Sequence, residues 1–191
     1  RYTSNFGGVF FCGIIDKINM VIIMDKIGNT IIEDGIIING KLKNRETIRG
    51  IVIKDNTVLM LYSKNFNDYT FPGGGIKGNE NHEECLKREL FEELGAQVVT
   101  LIEPVGYIEE VRYGISGNDS VYNQKSYYYI CKIDKVVKPN FKGREQEDTL
   151  EAQYVDIDYV ISHNNKIIKD KNHEQKGFKT VLLRENRVLK Y

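Results

Sequence analysis

Tryptophan is missing from this chain, and cysteine, methionine and proline occur three times each. The three cysteines, Cys12, Cys85 and Cys131, are widely spaced and form no CxxC pair. That argues against a disulfide framework and against a cysteine-built zinc site, and it fits a reducing compartment, the expected one being the cytoplasm. Neither sign of charge dominates, since 27 Lys and Arg balance 27 Asp and Glu. Whole-chain charge therefore draws the protein neither to nucleic acid nor to an anionic membrane, and charge-based function must come from local clustering. Long apolar runs are lacking too. The longest, GGVFFCGII at 7–15, stops at Asp16 and Lys17, too short to cross a bilayer and without the basic leader and cleavage site of a secretory signal. It reads as a buried strand. What remains is a chain of 191 residues, 41% apolar and 28% charged, enough for one ordinary domain with a sizeable core.

Residues 1–44 read as a β-rich arm: a strand at 9–15, another at 20–24, and TIIEDGIIING at 30–40. In the last, Asp34-Gly35 between two apolar runs signals a hairpin turn. The first methionine is Met20, so residues 1–19 carry little weight in this reading. The main domain, 45–191, opens with TIRGIVIKDNTVLMLYS, two apolar runs flanking KDN as a second hairpin. Strands are expected at 97–103, 105–113, 125–133 and around YVDI at 154–157, with a helix from about Lys176 to Arg187. Strands before and after an early helix, with a helix at the end, predict an α/β layered domain on a mixed sheet.

That early helix is unusual. Between Gly73 and Gly95 lie six glutamates, and only two basic residues, Lys87 and Arg88, sit among those acids. Asn81 can cap the amide of Glu84 while Glu84 reaches back, and Gly95 supplies the stop. Leu86, Leu90 and Leu94 form one apolar stripe, whereas Glu89, Glu92 and Glu93 share another face. Like charges at that spacing repel, and either raised pKa values or a divalent cation relieves them. Hard Mg²⁺ suits carboxylate and carbonyl oxygens, and the adjacent PGGG lets backbone approach a metal or phosphate.

The spacing Gly74-x5-Glu80-x7-Arg88-Glu89-Leu90-x-Glu92-Glu93-x-Gly95-Ala96 resembles the signature of the Nudix hydrolase family, G-x5-E-x7-R-E-U-x-E-E-x-G-U, with U apolar. Every specified position matches, and Ala96 stands where a larger aliphatic is usual. The resemblance implies a Nudix-type α/β/α sandwich around a mixed sheet. It implies that Glu89, Glu92 and Glu93, with the Gly73 carbonyl, bind Mg²⁺ or Mn²⁺. Arg88 would orient Glu89, and Glu80 would support the loop. The implied reaction is attack of water on a nucleoside diphosphate linked to X, giving a nucleoside monophosphate and phosphate-X, with Glu92 the preferred general base. Some relatives use a distal acid instead, for which Glu145, Glu147, Asp148 and Glu151 are candidates, Glu147 and Glu151 ranking first and Glu147 being carried as a further metal ligand. The competing reading is a catalytically silent sensor that binds a nucleotide or nucleotide sugar. The expected partner is a small nucleotide, with neither nucleic acid nor membrane, and a homodimer through the arm stays open. Tyr113 lies about where dinucleoside polyphosphate hydrolases carry a tyrosine. His82, His163 and His173 read as surface histidines, Tyr127–Tyr129 as core packing, and Cys85 as a small buried filler.

Overall fold

Runs rich in Val, Ile and Tyr favour strands, and they assemble here into two sheets. The computed structural model describes residues 24–38, 42–115, 120–137, 139, 150–173 and 175–191. Along the chain come β1 (Ile31–Ile32), β2 (Lys43–Ile51), β3 (Ile53–Lys54), β4 (Thr57–Ser63), β5 (Asp68–Thr70), β6 (Gly73–Gly75) and α1 (His82–Leu94). Then follow β7 (Ala96–Tyr113), β8 (Val121–Val136), β9 (Leu150–Asp156), α2 (Ile157–Lys169) and α3 (Phe178–Leu189). The larger sheet has the order β1-β7-β8-β2-β6; β1–β7 and β2–β8 are parallel, β7–β8 and β2–β6 antiparallel. In the smaller sheet β3, β5 and β9 all pair antiparallel with β4.

Helices cover both sides of these sheets. Leu86, Leu90, Leu94 and Cys85 of α1 pack on Ile48, Leu59, Leu61, Tyr129 and Cys131. Gly50 permits that approach, because a Cβ there would lie 3.2 Å from the Cys131 sulfur and 3.4 Å from Leu86 and Leu90. On the other side Val160 of α2 and Val188 of α3 join Met60, Phe71, Ile108 and Tyr128. Each fully buried apolar side chain of this kind is worth about 1.5–3 kcal/mol. The α/β/α sandwich around a mixed sheet is thus present.

Several local expectations change. Asp34 and Gly35 do turn the chain, but β1 pairs in parallel with β7 instead of entering a hairpin, and Ile37 and Ile38 are exposed. The KDN turn is real, with Asp55 at φ 52°, yet it joins only β3 to β4. The longer run before it, β2, crosses to the other sheet and pairs with β8. The strands expected at 97–103 and 105–113 are one, β7, whose register shifts at Leu101/Glu103 and Pro104/Gly106. Helix α2 was unforeseen: only its first residue, Ile157, fell in a segment read from sequence, the strand YVDI, and Asp156 caps it by accepting from the Tyr159 amide. The strand at 9–15 and most of that at 20–24 lie outside the described residues.

Candidate functional site

The glycine loop and helix α1 meet at the edge of the larger sheet, where β6 pairs with β2. Asn81 caps α1 through the Glu84 amide, and the Glu84 carboxylate returns a bond to the Asn81 amide, the reciprocal box read from sequence. Gly95 closes the helix in the left-handed region at φ 69°. Two loop glycines leave no free room for a side chain. Gly73 has φ 126°, and a Cβ on it would fall 2.1 Å from the Ile48 carbonyl oxygen. A Cβ on Gly74 would fall 2.5 Å from the Glu89 carboxyl group.

Arg88 is the hub that ties loop to helix. Its Nε donates to Glu80 Oε1 at 2.5 Å, and its Nη2 to Glu80 Oε2 at 2.8 Å and to the Gly75 carbonyl at 2.9 Å. Its Nη1 donates to Glu89 Oε1 at 2.5 Å. The hydrogen bonds from Arg88 hold the Glu80 carboxyl down at a pKa of about 2, and reciprocally Glu80, then Glu89, raise that of Arg88. Glu89, Glu92 and Glu93 are each at least 95% buried. Glu93 accepts from the Gly73 amide at 2.6 Å, and Glu92 lies 3.5 Å from Arg88 and 3.7 Å from Lys77.

Among the described residues no three His, Cys, Asp or Glu side chains converge into a ready-made metal cage. Each of the three carboxylates turns instead to a donor within reach: Arg88, Lys77 or the Gly73 amide. The donor set nevertheless suits a hard divalent cation. Three buried carboxylates occupy one helical turn, and the missing Cβ of Gly74 leaves space directly against Glu89. The Gly73 carbonyl accepts from Arg49 Nη1 at 2.5 Å, which fixes its orientation.

Glu89, Glu93 and Gly73–Gly75 form one wall of a cleft of about 640 Å³. Sequence reading did not find its floor. Period-2 alternation and the β7–β8–β2 register put Arg45, Arg49, Arg112 and Gln124 on one face of the larger sheet, and all four line the cleft. Phe178, Val181 and Arg184 of α3 border it, and Leu61, Ser63 and Asp68 come from the smaller sheet and its β4–β5 turn. Arg45 and Arg49, four apart on β2, were a signal for a basic strip, but only strand pairing brings Arg112 beside them.

The other candidates scatter. Glu145, Glu147 and Asp148 lie outside the described residues. Glu151 is exposed and pairs with Lys64 at 2.5 Å, away from the cleft lining. None of the histidines is a plain surface residue. His82 sits 2.6 Å from the Tyr129 hydroxyl and packs on Tyr127, His163 bonds the Asn67 carbonyl, and His173 stacks on Phe178. Tyr128 and Tyr129 are core residues on opposite faces, and Tyr113 spends its hydroxyl on the Ile37 amide. Cys85 is fully buried, and burial pushes its thiol up to about 11.

The family model described as NUDIX domain matches residues 43–176. An RNA pyrophosphohydrolase of Psychromonas ingrahamii is 44% identical over 48 residues, 24% of this chain and 26% of that protein. An 8-oxo-dGTP diphosphatase of Buchnera aphidicola is 36% identical over 62 residues, 30% of this chain and 48% of the relative. The chain thus spans between a quarter and a half of the curated relatives it matches. Among solved structures, an ADP-ribose pyrophosphatase from Streptococcus suis is 12% identical with a TM-score of 0.45, covering 76% of this chain and 90% of that one. No helix among the described residues is long and apolar enough to cross a membrane.

Proposed function

The chain belongs to the Nudix family, and on that premise we propose that it hydrolyses phosphoanhydride bonds, splitting a nucleoside diphosphate linked to X into a nucleoside monophosphate and phosphate-X. The observation that carries this reading is the trio of buried carboxylates on one turn of α1, two of which, Glu89 and Glu93, wall a cleft floored by arginines. Glu89, Glu92, Glu93 and the Gly73 carbonyl would hold Mg²⁺ or Mn²⁺, which when bound neutralises phosphate oxygens and makes water more acidic. Arg88 orients Glu89, and Glu80 fixes Arg88. Arg49 fixes the Gly73 carbonyl. The attacking water's oxygen bonds to phosphorus, the P–O bond to the leaving phosphate breaks, and the water's proton passes to a carboxylate. A base must come within about 3 Å of that water. Both Glu89 and Glu92 face Arg88, but Glu89 lines the cleft and Glu92 does not, which favours Glu89 over the Glu92 preferred on the sequence.

The test is incubation with Mg²⁺ and a panel of nucleoside diphosphate derivatives, with phosphate products followed. Glu89→Gln is expected to lower kcat by about two orders of magnitude or more, as removal of a metal-site group commonly does. Turnover of no panel member, with tight binding of one, would instead favour the silent sensor. Retention of every signature glutamate speaks for the hydrolase.

A further inference from the structure

Helix α3 begins at a residue that cannot cap it. Its N-cap is Gly177, in the left-handed region at φ 75°, and no side chain there bonds a helix amide. A Cβ on Gly177 would fall 2.1 Å from the Tyr113 carbonyl oxygen, so the Ser, Asp or Asn that usually caps a helix has no room. The acceptor comes instead from 144 residues away along the chain. Glu33 Oε1 accepts from the Gly177 amide at 2.7 Å, and Glu33 Oε2 accepts from the Tyr113 amide at 2.7 Å. One carboxylate thus joins the start of α3 to the end of β7. It stands where the arm leaves the sheet: the Glu33 amide still donates to the Val111 carbonyl, and the Asp34-Gly35 turn follows. Neighbouring contacts close the junction. Gln175 donates to the Ile115 carbonyl at 2.7 Å, Lys176 lies over the Tyr113 ring, and the Tyr113 hydroxyl accepts from the Ile37 amide.

What this junction holds in place is a wall of the cleft. Gly114 and Ile115 line the cleft directly after Tyr113, and Phe178 and Val181 line it from the first turns of α3. Glu33 is not among the lining residues, and the proposed metal carboxylates sit on a different element, α1. Glu33 and α3 also lie outside residues 43–176, the span of the family match. Resting on the hydrolase reading, we propose that Glu33 is a positioning residue: it sets the α3 wall of the cleft, and through it substrate affinity, without touching the substrate. A carboxylate suits this role because two N–H donors face it and both its oxygens accept. An amide of the same shape offers one oxygen and sets its NH₂ against the other donor. Moving the wall weakens the hold on substrate and transition state alike, so KM rises while kcat stays. The arm that carries Glu33 is then part of the substrate site and not an appendage.

Two variants test this from opposite sides of the junction. Glu33→Gln keeps the shape of the side chain, and Gly177→Ala presses on the Tyr113 carbonyl. Each is assayed with Mg²⁺ on the panel of nucleoside diphosphate derivatives, well below its melting temperature, while NMR follows hydrogen exchange at the Tyr113 and Gly177 amides. Glu33→Gln is expected to raise KM about tenfold with kcat within about twofold of wild type, and to speed exchange at both amides. Because both variants move one wall, the double variant should show a KM close to that of the worse single one. Faster exchange with KM unmoved would leave Glu33 a stabilising residue only and overturn the proposal. So would a fall in kcat at constant KM. Should Glu33→Gln fail to fold, Gly177→Ala decides by the same criterion. Absence of turnover in the wild type removes the hydrolase reading and leaves the exchange data to judge the cap: faster exchange in Glu33→Gln keeps it, and unchanged protection overturns it.

Discussion

Gly74 carries a constraint that no contact of its own reveals: its value lies in the side chain it lacks. A methyl group there would fall 2.5 Å from the Glu89 carboxyl, so Gly74→Ala must push Glu89 off its Arg88 partner. We predict a loss of about a hundredfold in kcat, comparable to deleting a supporting group of a metal site, with a melting temperature close to wild type because Glu89 borders open cleft. Glu80 makes a pH-dependent prediction. Its pKa is depressed from 4.5 to about 2 by Arg88. The pair therefore stabilises the fold above pH 4.5, and the contribution is lost as pH falls through about 2. Glu80→Gln should cost about 1 kcal/mol at pH 7, solvent screening keeping it near the surface-pair range. The gap to wild type in urea melts should close between pH 4.5 and 2. A gap that stays constant across that range would show that the ion pair is not its source. Both residues were legible in the sequence because the signature fixes them; Arg49, which holds Gly73, was not, since nothing local marks a strand arginine as facing a loop carbonyl.

Among elements, α1 was readable almost to the residue because its signals are local. The cap, the reciprocal glutamate, the leucine stripe and the terminal glycine all fall within one stretch of chain. Asn81→Ala removes the side-chain acceptor for the Glu84 amide and should destabilise the domain by about 1 kcal/mol. Chemical denaturation measures that, and Asn81→Ser should restore most of it. Strand partners were not readable, because partner choice is decided by distant chain. β2 and β4 follow each other almost directly, yet enter different sheets. α2 was missed for a related reason. Its Ile and Val residues favour strand by side-chain shape, and the Asp156 cap together with packing of Val160 and Asn164 against the sheet selects the helix. There Asn164 both accepts from the Tyr69 amide and donates to the Tyr69 carbonyl, replacing ladder bonds at β5.

At the scale of the molecule, the two sheet faces are built on different principles. The face under α1 is apolar, while the face under α3 carries a buried polar network around Arg184. Burial works against the Arg184 charge, but Glu110 and Glu185 outweigh it and keep its pKa raised. Arg184 Nη1 also donates to Ser126, which Gln124 and Thr47 reach in turn, so one guanidinium links α3 to β7, β8 and β2. Composition could not announce this, because a balanced whole-chain charge hides where the charges lie. Deleting one partner leaves buried carboxylates without a cation, so Arg184→Met is predicted to cost about 3–5 kcal/mol. Replacing the set together, Arg184→Met with Glu110→Gln and Glu185→Gln, removes the stranded charges and should recover much of that loss. Urea melts of the single and triple variants decide it. If the triple variant is no more stable than the single one, the network's value lies in its packing and not in its charge balance. If it recovers, the single variant's loss came from buried carboxylates left without their cation.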